Sequence, residues 1–245
     1  MIEQTYEKLK SLRLFSLAKA LKVQMESTHY AALPFEERLG LLVEEELLTR
    51  ENNRIAQHLK DAKLKQHCCV EDVDFDTLRN LRRAQFMELA QCRWIKQGQN
   101  LIITGPPGSG KSFLACALAD KACKLELKAR YLKAGELARE LVVARQDGSY
   151  PRLMARLAKT HLLVIDEWLR DPLPQEYARE LLDLLDDRFR NRSTVFISQL
   201  DVKDWHQHIN DPTLADAILD RVVHDSHRIE INSHESMRKL TAKLE

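Results

Sequence analysis

The stretch NLIITGPPGSGKS, Asn100 to Ser112, decides the fold. Leu101 to Thr104 is a short apolar, β-branched run, which predicts a buried strand. Gly105, Pro106, Pro107, Gly108, Ser109, Gly110, Lys111 and Ser112 then satisfy G-x-x-x-x-G-K-[ST]. Phe113 continues into a run to residue 125 that predicts a helix. Strand, glycine loop and helix in that order form the context this motif needs. Glycines let backbone N–H groups wrap phosphates without Cβ clashes, and a helix N-terminus adds partial positive charge. Lys111 is placed to reach β- and γ-phosphates, and the Ser112 hydroxyl to ligate Mg²⁺. Four of the chain's seven glycines lie between 98 and 110, so the loop is not a product of glycine-rich composition. The expected cofactors are therefore ATP and Mg²⁺.

Working outward, short apolar strands alternate with helices. KARYL (128–132), HLLVI (161–165), STVFIS (193–198) and RIEI (228–231) are the further strands. Helices are predicted over 77–92, 134–145, 151–159, 174–190, 201–208 and 212–222. Such alternation means an α/β fold with a parallel sheet covered on both faces. HLLVIDE (161–167) puts Asp166 and Glu167 at the carboxyl end of its strand, where open α/β sheets bind ligands. Asp166 is the candidate Mg²⁺ residue, with Ser112. Glu167 is the candidate general base for water attacking the γ-phosphate. The strand 194–198 ends in Ser198 and Gln199, a polar tip within reach of such a site.

Before residue 67 the pattern is different. Residues 2–27 predict one amphipathic helix through Leu9, Leu12, Phe15, Leu21 and Met25. A second runs over 34–66, with an apolar stripe of Leu39, Leu42, Val43, Leu47, Ile55 and Leu59. This pair is too small for a large core and must dock or self-associate. The stretch HCCVEDVDFD (67–76) loses helical periodicity and reads as a linker. The expected organisation is a helical N-terminal domain (1–66), the linker, and the nucleotide-binding domain (77–245).

The chain has 245 residues with 44% hydrophobic and 31% charged, which excludes a disordered chain. No apolar run approaches ~18 residues, so no membrane span or membrane partner is expected. The N-terminus carries charge from its third residue and does not read as a secretory signal. Five cysteines without a C-x-x-C point to a reduced, cytoplasmic protein. His67, Cys68 and Cys69 lack a second ligand pair at zinc spacing. The net charge of +1 hides a strong asymmetry. Residues 1–78 carry 11 basic and 14 acidic side chains, residues 79–165 carry 16 and 6, and residues 166–245 carry 11 and 17. The basic middle third suggests a polyanion partner, unless the acidic last third folds alongside and neutralises it.

GPPGSGKS, LLVIDE, VFISQ and ILDRVVH, in that order, resemble the IstB-type transposition helper ATPases, relatives of DnaC-like helicase loaders and DnaA-like initiators of the AAA+ class. LKSLRLFSLAKAL (9–21), residues 35–64, residues 87–105, AILDRVVHDSHRIEI (217–231) and ESMRK (235–239) extend the resemblance over nearly the whole chain. It implies an AAA+ domain with a five-stranded parallel sheet, a small helical N-terminal domain and no C-terminal lid domain. It implies that Arg221 is an arginine finger reaching a neighbouring subunit's nucleotide. Gln199 falls at the sensor position, where Asn or Asp is commoner in the class, and Arg238 at the second sensor. Lys133, Arg139, Arg145, Arg152 and Arg156, in and beside the basic helices, fall where initiators carry a DNA-facing insertion. The implied partners are double-stranded DNA, further copies of the chain and an IstA-like transposase, in a bacterial, nucleoid-associated setting. Three other readings stand beside this one: a replicative helicase loader, a small-molecule kinase on the same loop, and a DNA-architectural protein without useful turnover.

Overall fold

The computed structural model describes residues 2–75 and 80–232, which belong to two units, 1–57 and 58–245. In the first, α1 (Ile2–Ser11), α2 (Phe15–Glu26), α3 (Thr28–Ala31) and most of α4 (Phe35–Ala62) are helical. The single helix expected over 2–27 is broken after Ser11. Arg13 sits at φ +60°, Leu14 N–H donates to Leu9 O and Arg13 N–H to Lys10 O. These two bonds close α1 in a Schellman-type turn, with arginine at the left-handed position glycine usually takes. The start of α2 is then capped from α4. One Glu46 carboxylate oxygen accepts the Ser16 and Leu17 amides at 3.1 and 3.0 Å. Hydrogen bonding from Arg50, with those amides, holds the Glu46 carboxyl below the usual range. Of the predicted α4 stripe, Leu42 is buried but Leu39, Val43 and Leu47 are exposed.

The second unit is built on a parallel sheet of β1 (Asn100–Thr104), β2 (Ala129–Lys133), β3 (Leu162–Asp166), β4 (Ser193–Ser198) and β5 (Ser226–Glu230), in the order β2-β3-β4-β1-β5. β1 is buried along its whole length, as its unbroken apolar run requires. Leu101 and Ile103 face one core with Val164, Val195 and Ile197. Ile102 faces the other with Ile165 and Phe196. The first core is covered by α5 (Arg83–Leu89), α6 (Arg93–Lys96) and α7 (Lys111–Lys124). The second is covered by α8 (Ala134–Gln146), α9 (Tyr150–Lys159), α10 (Gln175–Arg188) and α11 (Pro212–Val223).

Three expectations change. The stretch 67–76 is not a free linker. Cys68, Val70 and Val73 are buried in the first core, and Val70–Asp72 form a 3-10 turn. Alternating acids with apolar residues hid this, because only the apolar ones turn inward. The helix expected over 77–92 begins at Arg83 and ends at Leu89, with residues 76–79 outside the described set. Cys92, at φ +57°, then starts the separate turn α6. The segment over 201–208 is 3-10 rather than α-helix.

Candidate functional site

β1 delivers the glycine loop to the carboxyl edge of the sheet, and α7 begins where the loop ends. Gly105 has φ +144°, and a Cβ there would stand 2.4 Å from the Ile231 carbonyl oxygen. The chain leaving β5 is held that close by the Ile231 N–H bond to Thr104 O, 2.9 Å. Gly110, at φ +91°, is the N-cap of α7. Left-handed backbone of this kind favours glycine. The first N–H groups of a helix have no intrahelical acceptor, so this end of α7 is an anion seat. The Ser109 hydroxyl is buried there and has no hydrogen-bond partner among the described residues. The Lys111 ammonium folds back onto the Gly105 and Pro106 carbonyls at 2.6 and 2.7 Å. Burial lowers its pKa to about 8, partly offset by Asp166. A buried hydroxyl with no partner among the described residues, and a lysine bonded to its own loop's carbonyls, fit a triphosphate.

β3 brings Asp166 to the same place. It is 4% exposed, and its two oxygens do different work. Oδ1 accepts the Glu167 amide at 2.8 Å. Oδ2 collects the Ser112 hydroxyl at 2.7 Å, the Tyr131 hydroxyl and the Lys65 ammonium at 3.5 Å. Burial pushes the Asp166 carboxyl up, but the bonds from Tyr131, Ser112 and the Glu167 amide outweigh it and hold the pKa below the usual value. Ser112 and Asp166 thus present hard oxygen donors at one point beside the phosphate seat, which is what Mg²⁺ requires. Tyr131 and Lys65 were not foreseen from sequence. Tyr131 sits in an apolar strand and reads as core, and its contact spans 35 positions.

Glu167, next in the chain, sits at φ +59°. Its carboxylate is gripped by Lys133 at 2.8 Å and Arg170 at 2.5 Å. At the end of β4, the Ser198 hydroxyl is committed. It donates to Trp168 O at 2.9 Å and accepts the Leu200 amide at 3.1 Å. Gln199 beyond it is exposed. Phe113 is half-buried against the first core, and its carbonyl accepts the Cys68 thiol.

Arg221 does not join this cluster. It lies on α11, ion-paired with Asp186 and donating to Ala217 O at 2.8 Å. Its own carbonyl accepts from Asn100, at the amino end of β1. The glycine loop leaves the carboxyl end of that strand, ~13 Å away at ~3.3 Å per residue. Arg238 lies outside the described residues.

Four of the five expected DNA-contacting residues, Lys133, Arg139, Arg152 and Arg156, line one open cleft along the β2 edge. Nine lysines and arginines line it against three acids, Asp61, Glu136 and Glu140. Arg145 lies outside it, paired with Glu180 and stacked on Tyr150. Arg156 is 3.5 Å from Glu140. Two ion pairs join the basic third to the acidic last third here, Lys133–Glu167 and Arg145–Glu180, and they leave the cleft strongly positive.

A parallel sheet in the order β2-β3-β4-β1-β5, with the glycine loop at its carboxyl edge and the strand-borne acid pair beside it, defines a P-loop fold of the AAA+ type. Its fold is similar to a replication initiator DnaA bound to AMPPCP and single-stranded DNA (TM-score 0.60, 16% identity, covering 74% of this chain and 56% of that one). It is also similar to DnaI (TM-score 0.59, 22% identity, covering 72% and 94%). The chain belongs to the IstB-like ATP binding protein family, whose model matches residues 7–244. It is 43% identical over 235 residues to the putative insertion sequence ATP-binding protein y4pL of Sinorhizobium fredii (strain NBRC 101917 / NGR234), covering 96% of both chains. It is 40% identical over 201 residues to the IS1162 putative ATP-binding protein of Pseudomonas fluorescens, covering 82% of this chain and 87% of the relative. Among the described residues no helix is long and apolar enough to cross a membrane.

Proposed function

We propose that this chain hydrolyses ATP with Mg²⁺, assembles with further copies of itself on duplex DNA while ATP is bound, and there recruits and stimulates an IstA-like transposase. The observation that carries the reading is the convergence of Ser112, Asp166 and Glu167 at one sheet edge, with Lys133 running from Glu167 into the basic cleft. In this reading Lys111 and the loop backbone bind the phosphates, and Ser112 and Asp166 hold the metal. Glu167 takes a proton from the attacking water once Lys133 and Arg170 release it. Gln199 orients the water or the γ-phosphate.

Arg221 acts in trans. Its position at the far end of β1 from the glycine loop supports this, because an arginine there is poorly placed for its own nucleotide. Arg139, Arg152 and Arg156, with Lys133, contact DNA phosphates, so binding is steeply salt-dependent and weakly sequence-selective. The N-terminal domain supplies subunit or transposase contacts. Eleven of the fifteen large apolar side chains exposed among the described residues lie before residue 57, which supports that role.

The insertion-sequence relatives favour transposition over helicase loading, the second reading for the same architecture. Turnover assays with and without duplex DNA test the proposal. ATPase activity that rises with duplex DNA, and is absent from Glu167→Gln, is expected. Turnover indifferent to duplex DNA but raised by a replicative helicase favours the loader.

A further inference from the structure

We propose that Lys65 is an internal cation of the nucleotide site, which fills the metal position between Ser112 and Asp166 until Mg²⁺ displaces it. Its ammonium lies 3.5 Å from the Ser112 hydroxyl oxygen and 3.5 Å from Asp166 Oδ2. Those are the two oxygens that fit a magnesium ion. A divalent ion held by those two oxygens would compete with the ammonium for the same position. Two cations cannot share it.

The placement is built rather than accidental. α4 ends at Ala62, and Lys63 turns the chain at φ +49°. Leu64 packs on the first core. Cys68 is buried in the same core, and its thiol donates to Phe113 O at 3.5 Å. Leu64 and Cys68, on either side of Lys65, thus tie this segment to the core and to the first turn of α7, the helix that carries Lys111 and Ser112. The two partners differ in mobility. The Asp166 side chain is 5% exposed and stays, whereas that of Lys65 is 36% exposed and its head can swing into the cleft it also lines. The site is thus arranged for the lysine to leave and the carboxylate to remain.

Two consequences have opposite signs. Without metal, the Lys65 charge stands in for Mg²⁺ beside the phosphates and helps to hold nucleotide. With metal, it competes. Removing it weakens metal-free binding and lowers the Mg²⁺ concentration needed for tight binding. A side chain that merely supports the fold moves both conditions together.

The inference rests on the nucleotide site described above. The experiment is equilibrium anisotropy with a fluorescent ATP derivative on the full chain, in EDTA and across a Mg²⁺ titration. Wild type, Lys65→Gln, Lys65→Arg and Lys111→Ala are compared. In Lys65→Gln the ratio of the Kd in EDTA to that in saturating Mg²⁺ rises about tenfold, the scale of a lost charged hydrogen bond. The half-saturating Mg²⁺ concentration falls, and Lys65→Arg follows wild type. An unchanged ratio in Lys65→Gln, or an equal loss in both conditions, overturns the proposal. If wild type binds no better than Lys111→Ala in any condition, the nucleotide-site reading itself fails, and this inference with it.

Discussion

Lys133, the last residue of β2, holds the Glu167 carboxylate at 2.8 Å and at the same time lines the basic cleft. Bonding to Glu167 raises the Lys133 pKa, so the lysine is cationic throughout the neutral range. The residue proposed to activate water is therefore neutralised by a side chain that a DNA phosphate can also claim. The pair is partly exposed, at 39% and 23%. Such pairs contribute about 1 kcal/mol at most, or roughly fivefold in an equilibrium. Lys133→Met is thus expected to raise DNA-free ATP turnover by up to about fivefold and to reduce the further stimulation by duplex DNA. Steady-state turnover with and without DNA measures both. Basal turnover that falls instead makes Lys133 part of the catalytic apparatus.

Glu167→Gln keeps the side chain's size but removes its proton-accepting charge. Nucleotide affinity is expected to stay within a few-fold of wild type, while turnover drops by about 10²–10⁴. Anisotropy and single-turnover hydrolysis separate the two effects. Hydrolysis at the wild-type rate would remove Glu167 from the role of base.

Arg221 is assigned to a neighbour's nucleotide, which mixing of variants can test. Arg221→Ala alone is expected to lose turnover by about 10³ with little change in nucleotide affinity. Lys111→Ala alone is expected not to bind ATP. A mixture of the two has interfaces where an intact loop meets an intact Arg221, so part of the activity returns. A mixture as inactive as its components argues for action in cis, or for no role.

The burial of Lys111 sets a pH dependence. Its pKa in the free protein is lowered from 10.5 to about 8, chiefly by burial. Phosphates favour the ammonium form, so binding above pH 8 must take up a proton. Nucleotide affinity is expected to be flat below pH 8 and to fall above it, by up to about tenfold per unit. The free protein shows the opposite sign. The cost of burying the ammonium is present below pH 8 and is relieved as pH rises toward 10.5. Calorimetric binding in two buffers of different ionisation enthalpy at pH 8.5 reports the proton taken up. Absence of uptake would contradict the buried-lysine account.

One stabilising centre lies away from the site. Arg188 is 1% exposed and joins the end of α9 to the start of β4. It donates to Leu157 O at 2.5 Å, Thr160 O at 2.8 Å, the Ser193 carbonyl and Thr194 Oγ1 at 3.0 Å. Arg188→Leu strands these acceptors and is expected to cost about 3 kcal/mol. Urea denaturation measures the loss. A midpoint unchanged from wild type would show that the acceptors find other partners.

What could be read from sequence was local. Asn100–Thr104, the glycine loop and the opening of α7 carry their signals within about a dozen consecutive residues, and β1 falls on the expected residues. Asp166 and Glu167 were legible because an apolar strand ended in them. Partners across the fold were not legible. Tyr131 looks like any strand aromatic, and Lys65 like any polar residue at a helix end. Their meeting at Asp166 depends on β2 lying beside β3 in the register Lys133↔Asp166, and on the packing of residues 65–68 against α7. The break at Arg13 was missed because an arginine in left-handed backbone carries no glycine signal. Arg188 reads as an ordinary basic residue in the last turn of α10, and only burial shows what it joins.

The most direct measurement is sedimentation of the purified chain with duplex DNA, with ATP and Mg²⁺ and again without nucleotide. A large DNA-bound species that requires ATP, persists in Glu167→Gln and is absent from Lys111→Ala is expected. A chain that stays small and ignores duplex DNA in both states would contradict the proposed function.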